Sequence, residues 1–172
     1  MSDPVELDRL VIRPARTGDV RTIRTFIDSY STDGRLLSKA TVTLFEAVQE
    51  FLVAELDGQV VGCGALHVMW EDLAEVRTLA VDPDFVGKGI GSQLLTSLLD
   101  RARGVGVKRV FCLTFMVDFF AAHGFVEIDD TPVDHGVYEQ LLQSYDEGVA
   151  EFLGLERVKP NTLGNHRMLA VL

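Results

Sequence analysis

The sequence predicts an α/β (α+β) fold: one domain over residues 1–172, with a mixed central sheet in the order β-α-α-β-β-β-α-β-α-β and a further helix and strand after it. Three observations predict it. Short apolar runs bounded by turn residues, among them Phe51–Glu55, Val60–Val68 and Arg109–Leu113, read as strands. Asp57-Gly58 between the first two is a hairpin signal. Between the strand Leu73–Val81 and the strand Arg109–Leu113, Leu94, Leu95, Leu98, Leu99 and Ala102 form one apolar stripe at the helical period. A helix joining two strands in this way makes them parallel neighbours through a right-handed crossover.

Composition bounds the function. With 172 residues, 47% of them apolar, the chain is long enough for a real core. No apolar run reaches the roughly 18–20 residues of a membrane span, and MSDPVELDRL lacks a basic stretch followed by an apolar one. A cytoplasmic protein with no membrane partner is expected. The formal net charge of −10 argues against a nucleic-acid partner, which needs a basic face. A few local cations can still receive an acidic small molecule. Cys63 and Cys112 lie inside apolar strand-like runs and read as buried thiols, with no disulfide. His67, His123, His135 and His166 show no ligand spacing, so no metal is expected.

Taken in order, Leu10–Arg13 is a first strand, and a helix begins near Arg16–Val20, with Thr17 or Asp19 as cap and Ile23, Phe26 and Ile27 turned inward. Ser31–Gly34 breaks it. Leu36-Leu37-Ser38-Lys39 leads to a second helix over Thr41–Gln49, with Leu44, Phe45 and Val48 facing in. The hairpin follows, and Gly62 and Gly64 in its second strand allow a close approach. Glu71-Asp72 turns the chain into the central strand. After the long helix and the fifth strand, Asp118–Ala122 is a short helix stopped by Gly124, and Phe125–Ile128 is a sixth strand. Val137, Leu141, Leu142 and Tyr145 mark one more amphipathic helix, continued past Gly148 by Val149–Leu153, and Met168–Leu172 closes as a strand.

The stretch that carries chemistry joins the central strand to the long helix: Val81-Asp82-Pro83-Asp84, then Gly87-Lys88-Gly89-Ile90-Gly91. A helix that starts on glycines leaves its first amides unpaired, and its dipole favours an anion there. That is a seat for a pyrophosphate. The dinucleotide fingerprint does not fit, because Leu94 stands where its third glycine belongs, and a P-loop does not fit, because Gly89 follows Gly87-Lys88. An ordinary β-α turn remains the alternative on the loop alone.

A strand ending in Val-Asp-Pro, a short loop and Gly89-x-Gly91 at a helix start resembles the coenzyme A segment of the GNAT N-acetyltransferase superfamily. Val86 stands where that family usually has Arg or Gln. The opening Ile12-Arg13 and the closing Phe119-Phe120-Ala121-Ala122-His123-Gly124-Phe125 resemble the family as well, so the likeness covers about residues 10–128. It implies a GNAT fold with acetyl-CoA as co-substrate. Leu79, Ala80 and Val81 would hold the pantetheine arm, and the amides of Gly87, Lys88, Gly89, Ile90, Gly91 and Ser92 the pyrophosphate.

Many members protonate the leaving thiolate with a tyrosine on the short helix, where this chain has Phe119-Phe120. Within the family, Leu36–Lys39, Val61–Leu66, Glu75, Phe111–Thr114 and the terminal KPNTLGNHRMLAVL resemble the acetyltransferase domain of N-acetylglutamate synthases, in the short stand-alone form of actinobacteria. The resemblance implies transfer of an acetyl group to the α-amine of L-glutamate or L-glutamine, the first step of arginine biosynthesis. Glu75 would be the general base and Thr114 a proton donor near the sulfur; Lys39, Arg77, Asn165 and Arg167 would bind the amino acid's carboxylates. Glu75, Arg77 and Leu79 are placed on one strand face by period two. A homodimer is common in the family. The alternatives are a GNAT enzyme for a different small amine and an acyl-CoA-binding regulatory module without turnover.

Overall fold

The computed structural model describes residues 7–31, 40–154 and 165–172. They form β1 (Leu10–Pro14), α1 (Val20–Ser31), α2 (Thr41–Glu46), β2 (Phe51–Leu56), β3 (Gln59–Trp70), β4 (Leu73–Val81) and α3 (Ile90–Val105). β5 (Arg109–Thr114), α4 (Val117–Ala121), β6 (Phe125–Ile128), α5 (His135–Leu141), α6 (Glu147–Leu153) and β7 (His166–Val171) complete the order. The chain divides into two compact units, Met1–His67 with Val76–Val105 and Val68–Glu75 with Gly106–Leu172, so β3 and β4 run through both.

In the first unit β1, β2, β3 and β4 are neighbours in that order. β1 pairs antiparallel with β2 from Leu10↔Leu56 to Pro14↔Leu52, and β2 with β3 from Phe51↔Ala65 to Leu56↔Gln59. The tight link is Asp57-Gly58, both at positive φ (52° and 81°), as the hairpin signal requires. The period of two then sorts β3. Cys63 and Ala65 join a buried cluster with Val20, Ile23, Phe26 and Ile27 of α1, Leu44 of α2, and Phe51 and Val53 of β2. Gly62 and Gly64 face α3, where a Cβ on Gly62 would meet Leu94 Cδ1 at 3.0 Å and the Ala80 carbonyl at 3.1 Å. Glycine there lets the helix settle on the sheet. Every residue of the sequence's apolar stripe on α3 is buried, and each leucine contributes roughly 1.5–3 kcal/mol.

In the second unit the order is β4, β5, β7, β6. β4 and β5 pair in parallel over Leu73↔Arg109, Ala74↔Val110 and Glu75↔Phe111, and the register stops there. β7 lies between β5 and β6, antiparallel to both. Met69, Leu73, Phe111, Leu141, Val149, Phe152 and Leu153 form its core, with Phe111 and Phe152 edge to face at 4.9 Å.

Three local expectations differ. α2 ends at Glu46, a 3₁₀ turn covers Val48–Glu50, and Phe45 is 38% exposed where an inward side chain was expected. The single C-terminal helix is two, because Asp134 and Asp146 each cap a separate start, accepting from the Val137 and Val149 amides at 2.9 and 3.0 Å. Leu142 and Tyr145, expected on its inner face, fall between them and are exposed. Asp19 does not cap α1; its carboxylate accepts from the Arg16 amide at 2.7 Å and the Arg13 guanidinium at 2.8 Å.

Candidate active site

In the first unit, the end of β4 turns at Asp82, whose carboxylate accepts the Asp84 amide at 3.0 Å while the Phe85 amide returns to its carbonyl at 2.8 Å. The 3₁₀ turn Pro83–Phe85 that results leads through exposed Val86 to the glycines. Gly87 and Gly89 have φ of +82° and +83°. A Cβ on Gly87 would meet nothing within 4 Å, so what glycine supplies there is the left-handed backbone, not room. The first amide with a helical bond is Gln93, to Gly89 at 3.2 Å. The amides of Ile90, Gly91 and Ser92 precede that first helical bond. Consecutive amides around left-handed residues form an anion-binding concavity, here at the positive end of a 16-residue helix. Lys88 lies over the Phe85 ring at 5.2 Å, its stem held at the loop. The residues present fit a diphosphate.

Before the turn, Leu79 and Val81 are half-buried and Ala80 is buried. The Val81 carbonyl accepts the Tyr30 phenol of α1 at 2.5 Å. Arg77 is half-buried on β4. After it Thr78 has φ +57°, left-handed for a β-branched residue, at a cost of roughly 1–3 kcal/mol. The expected single face of Glu75, Arg77 and Leu79 is therefore interrupted at Thr78, whose carbonyl receives the Cys63 thiol at 3.5 Å. Both cysteines are free and buried. Burial pushes the Cys63 thiol up to about 12.

The second unit holds Glu75, Thr114, Asn165 and Arg167. Glu75 is 6% exposed, at the last pair of the β4–β5 ladder, and its charge adds to burial in pushing the Cys112 thiol up. Thr114, the last residue of β5, is buried; its hydroxyl oxygen accepts the Met116 amide at 2.8 Å, which keeps its hydrogen available. Asn165 immediately precedes β7, and His166 pairs with Glu127.

Arg167 is engaged with backbone. Nη2 donates to the Phe152 carbonyl at 2.8 Å and the Asp130 carbonyl at 3.1 Å, Nη1 to the Glu151 carbonyl at 3.3 Å, and the guanidinium stands 5.0 Å over Phe111. Burial lowers its pKa, against the charge of Asp130. Either two-pronged approach to guanidinium uses an Nη2 hydrogen, so a carboxylate gains a bidentate grip only by displacing a carbonyl. Lys39 lies outside the described residues. A cavity of about 560 Å³ in this unit, lined by Trp70, Asp72, Arg109, Asp130, Val133 and Asp134 among others, contains none of the expected site residues. Among the described residues no group of side chains suits a metal, and no helix is long and apolar enough to cross a membrane.

Residues 21–127 match the model of the acetyltransferase (GNAT) family. The amino-acid acetyltransferase of Mycobacterium tuberculosis is 57% identical over 168 residues, 95% of each chain. The chain belongs to the GNAT acetyltransferase family. The co-substrate of GNAT enzymes is acetyl-CoA. The crystal structure of Rv2747 from Mycobacterium tuberculosis, in complex with CoA and NLQ, superposes with a TM-score of 0.90 at 57% identity, covering 94% of this chain and 99% of that one. N-acetylglutamate synthase from Neisseria gonorrhoeae, complexed with coenzyme A and N-acetyl-glutamate, gives a TM-score of 0.76 at 27% identity. That match covers 95% of this chain and 35% of the larger synthase.

This GNAT chain has no phenol on its short helix: α4 carries Phe119 and Phe120, the latter buried edge to face against Phe125 at 5.2 Å. The sequence reading missed Tyr30 and the Cys63–Thr78 contact. Tyr30 continues the stripe of Phe26 and Ile27 on α1, so periodicity shows a core residue, and nothing local names an acceptor 51 positions away.

Proposed function

We propose that this acetyltransferase transfers the acetyl group of acetyl-CoA to the α-amine of L-glutamate, with L-glutamine as the second candidate, as the first step of arginine biosynthesis. One observation carries the choice of an amino acid: the amino-acid acetyltransferase of Mycobacterium tuberculosis aligns with 95% of this chain at 57% identity. The N-acetyl-glutamate held by the Neisseria synthase supports glutamate among amino acids.

The amides of Gly87–Ser92 hold the coenzyme's diphosphate, and Leu79–Val81 its pantetheine arm. Transfer then needs a neutral amine, an oriented thioester and a proton for the departing sulfur. Glu75 takes the proton from the substrate ammonium, directly or through water. The neutral nitrogen attacks the thioester carbonyl, the C–S bond breaks as the tetrahedral intermediate collapses, and the proton the nitrogen sheds reaches the thiolate through the Thr114 hydroxyl, which the Met116 amide orients. Arg77, Lys39 and Asn165 bind the carboxylates, joined by Arg167 when a carboxylate exchanges with a backbone carbonyl.

The test is thiol release from acetyl-CoA with glutamate, glutamine, aspartate and lysine in turn. Glutamate or glutamine should give the highest kcat/KM; preference for lysine or a polyamine would overturn the substrate. Glu75→Gln should lower kcat by at least about 10²-fold while CoA still binds, and unchanged turnover removes Glu75 from the mechanism.

A further inference from the structure

We propose that Tyr30 is a positioning residue for the coenzyme seat, fixing the peptide at which the pantetheine strand becomes the diphosphate loop. The proposal rests on the functional reading above. Its ground is a single peptide group. The carbonyl of Val81 accepts the Tyr30 phenol at 2.5 Å, and the N–H on the other side of the same bond, that of Asp82, donates to the Val61 carbonyl at 2.8 Å. Both polar atoms of the Val81–Asp82 peptide are thus held, one from α1 and one from β3.

What depends on that peptide lies on either side of it. Upstream are Leu79, Ala80 and Val81, the stretch assigned to the pantetheine arm. Downstream the chain builds directly on Asp82: its carboxylate takes the Asp84 amide and its carbonyl takes the Phe85 amide, closing the turn that delivers Gly87. A rotation of the Val81–Asp82 plane therefore swings the glycine loop relative to the strand. The Asp82 bond alone leaves that plane free to tilt about the line to Val61; a second bond on the opposite atom removes the tilt. Tyr30 suits the task because it stands near the end of α1 and packs against the cluster containing Phe26 and Ile27. Its ring has few torsions to fix.

Tyr30→Phe keeps the ring and removes the hydroxyl that donates to Val81. A part-buried hydrogen bond of ordinary strength lost from the seat corresponds to about a fivefold change in affinity. Calorimetric titration with CoA should show the Kd rising by about that factor. The KM for acetyl-CoA should follow, with a smaller change in the KM for the amino acid. Backbone amide exchange at Asp82 should quicken, and the melting temperature should move little. An unchanged Kd for CoA overturns the proposal, and so does an equal rise in both KM values with a large fall in melting temperature, the mark of a merely structural residue. Failure of the wild-type protein to bind CoA sinks the functional reading instead. Should the variant not fold, the wild-type chain carries the test: the Tyr30 hydroxyl proton should be protected from exchange with water where that of exposed Tyr145 is not, and an unprotected Tyr30 hydroxyl overturns the proposal.

Discussion

Arg167 Nη2 donates to the carbonyl of Phe152 at 2.8 Å, tying β7 to the last turn of α6. Helix C-termini leave carbonyls without intrahelical donors, and a cation there meets both the hydrogen-bond deficit and the dipole. Glu151 and Phe152 both belong to that turn, and Thr131 adds a second donor to the Phe152 carbonyl at 3.3 Å. Arg167 is therefore structural even where it is also proposed for substrate.

Arg167→Ala should lower stability by about 2–3 kcal/mol, because it leaves three carbonyls short of a charged donor and two aromatic faces uncovered. Thermal unfolding would show this as a fall of roughly 4–12 °C for a chain of this size. The substrate role has its own readout: the KM for glutamate should rise more than that for acetyl-CoA. Equal rises would leave the guanidinium a strut alone.

Gly89→Ala should weaken CoA binding with little change in the KM for the amino acid. The added methyl meets only Leu7 Cδ1, at 3.8 Å, so the penalty comes from φ +83°. Holding an L-residue there costs roughly 1–2 kcal/mol, and relaxing it turns the amide away from the anion. Calorimetry with CoA measures the loss, and full affinity would mean that the loop tolerates another conformation.

Alkaline pH should destabilise the protein through its thiols. The folded state holds the Cys63 proton up to about 12 because ionising a buried sulfur is penalised. The unfolded chain releases its proton near 8.5. Below that pH the contribution is intact; above it the unfolded state binds fewer protons, so stability falls as pH rises towards 12. Each thiol contributes a slope of about 1.4 kcal/mol per pH unit in that window. Denaturant melts from pH 8 to 10 should show the decline, and Cys63→Ala should reduce the slope. An Ellman's assay at pH 8 should find no reactive thiol in the native protein.

What the sequence made legible was local or periodic. The stripe of α3, the Asp57-Gly58 turn and the glycine-started helix each follow from a few adjacent residues, and the structure has all three. The break between α5 and α6 was written in Asp134 and Asp146, yet the apolar spacing of Leu141, Leu142 and Tyr145 mimics a continuous helix. Thr78 was invisible because its residue type argues for extended backbone, and tertiary packing overrides that preference. Arg167 was expected to face a substrate carboxylate; the acceptors it meets in the structure are backbone carbonyls, which carry no residue signature.

The placement of β7 between β5 and β6 has a consequence for biosynthesis. The ribosome completes β5 and β6 well before the strand that must separate them, so the nascent chain exposes two hydrogen-bonding edges that must not zip together or recruit a neighbour's. β6 is brief and carries Glu127 at its centre, a charge that discourages premature annealing until His166–Val171 emerges.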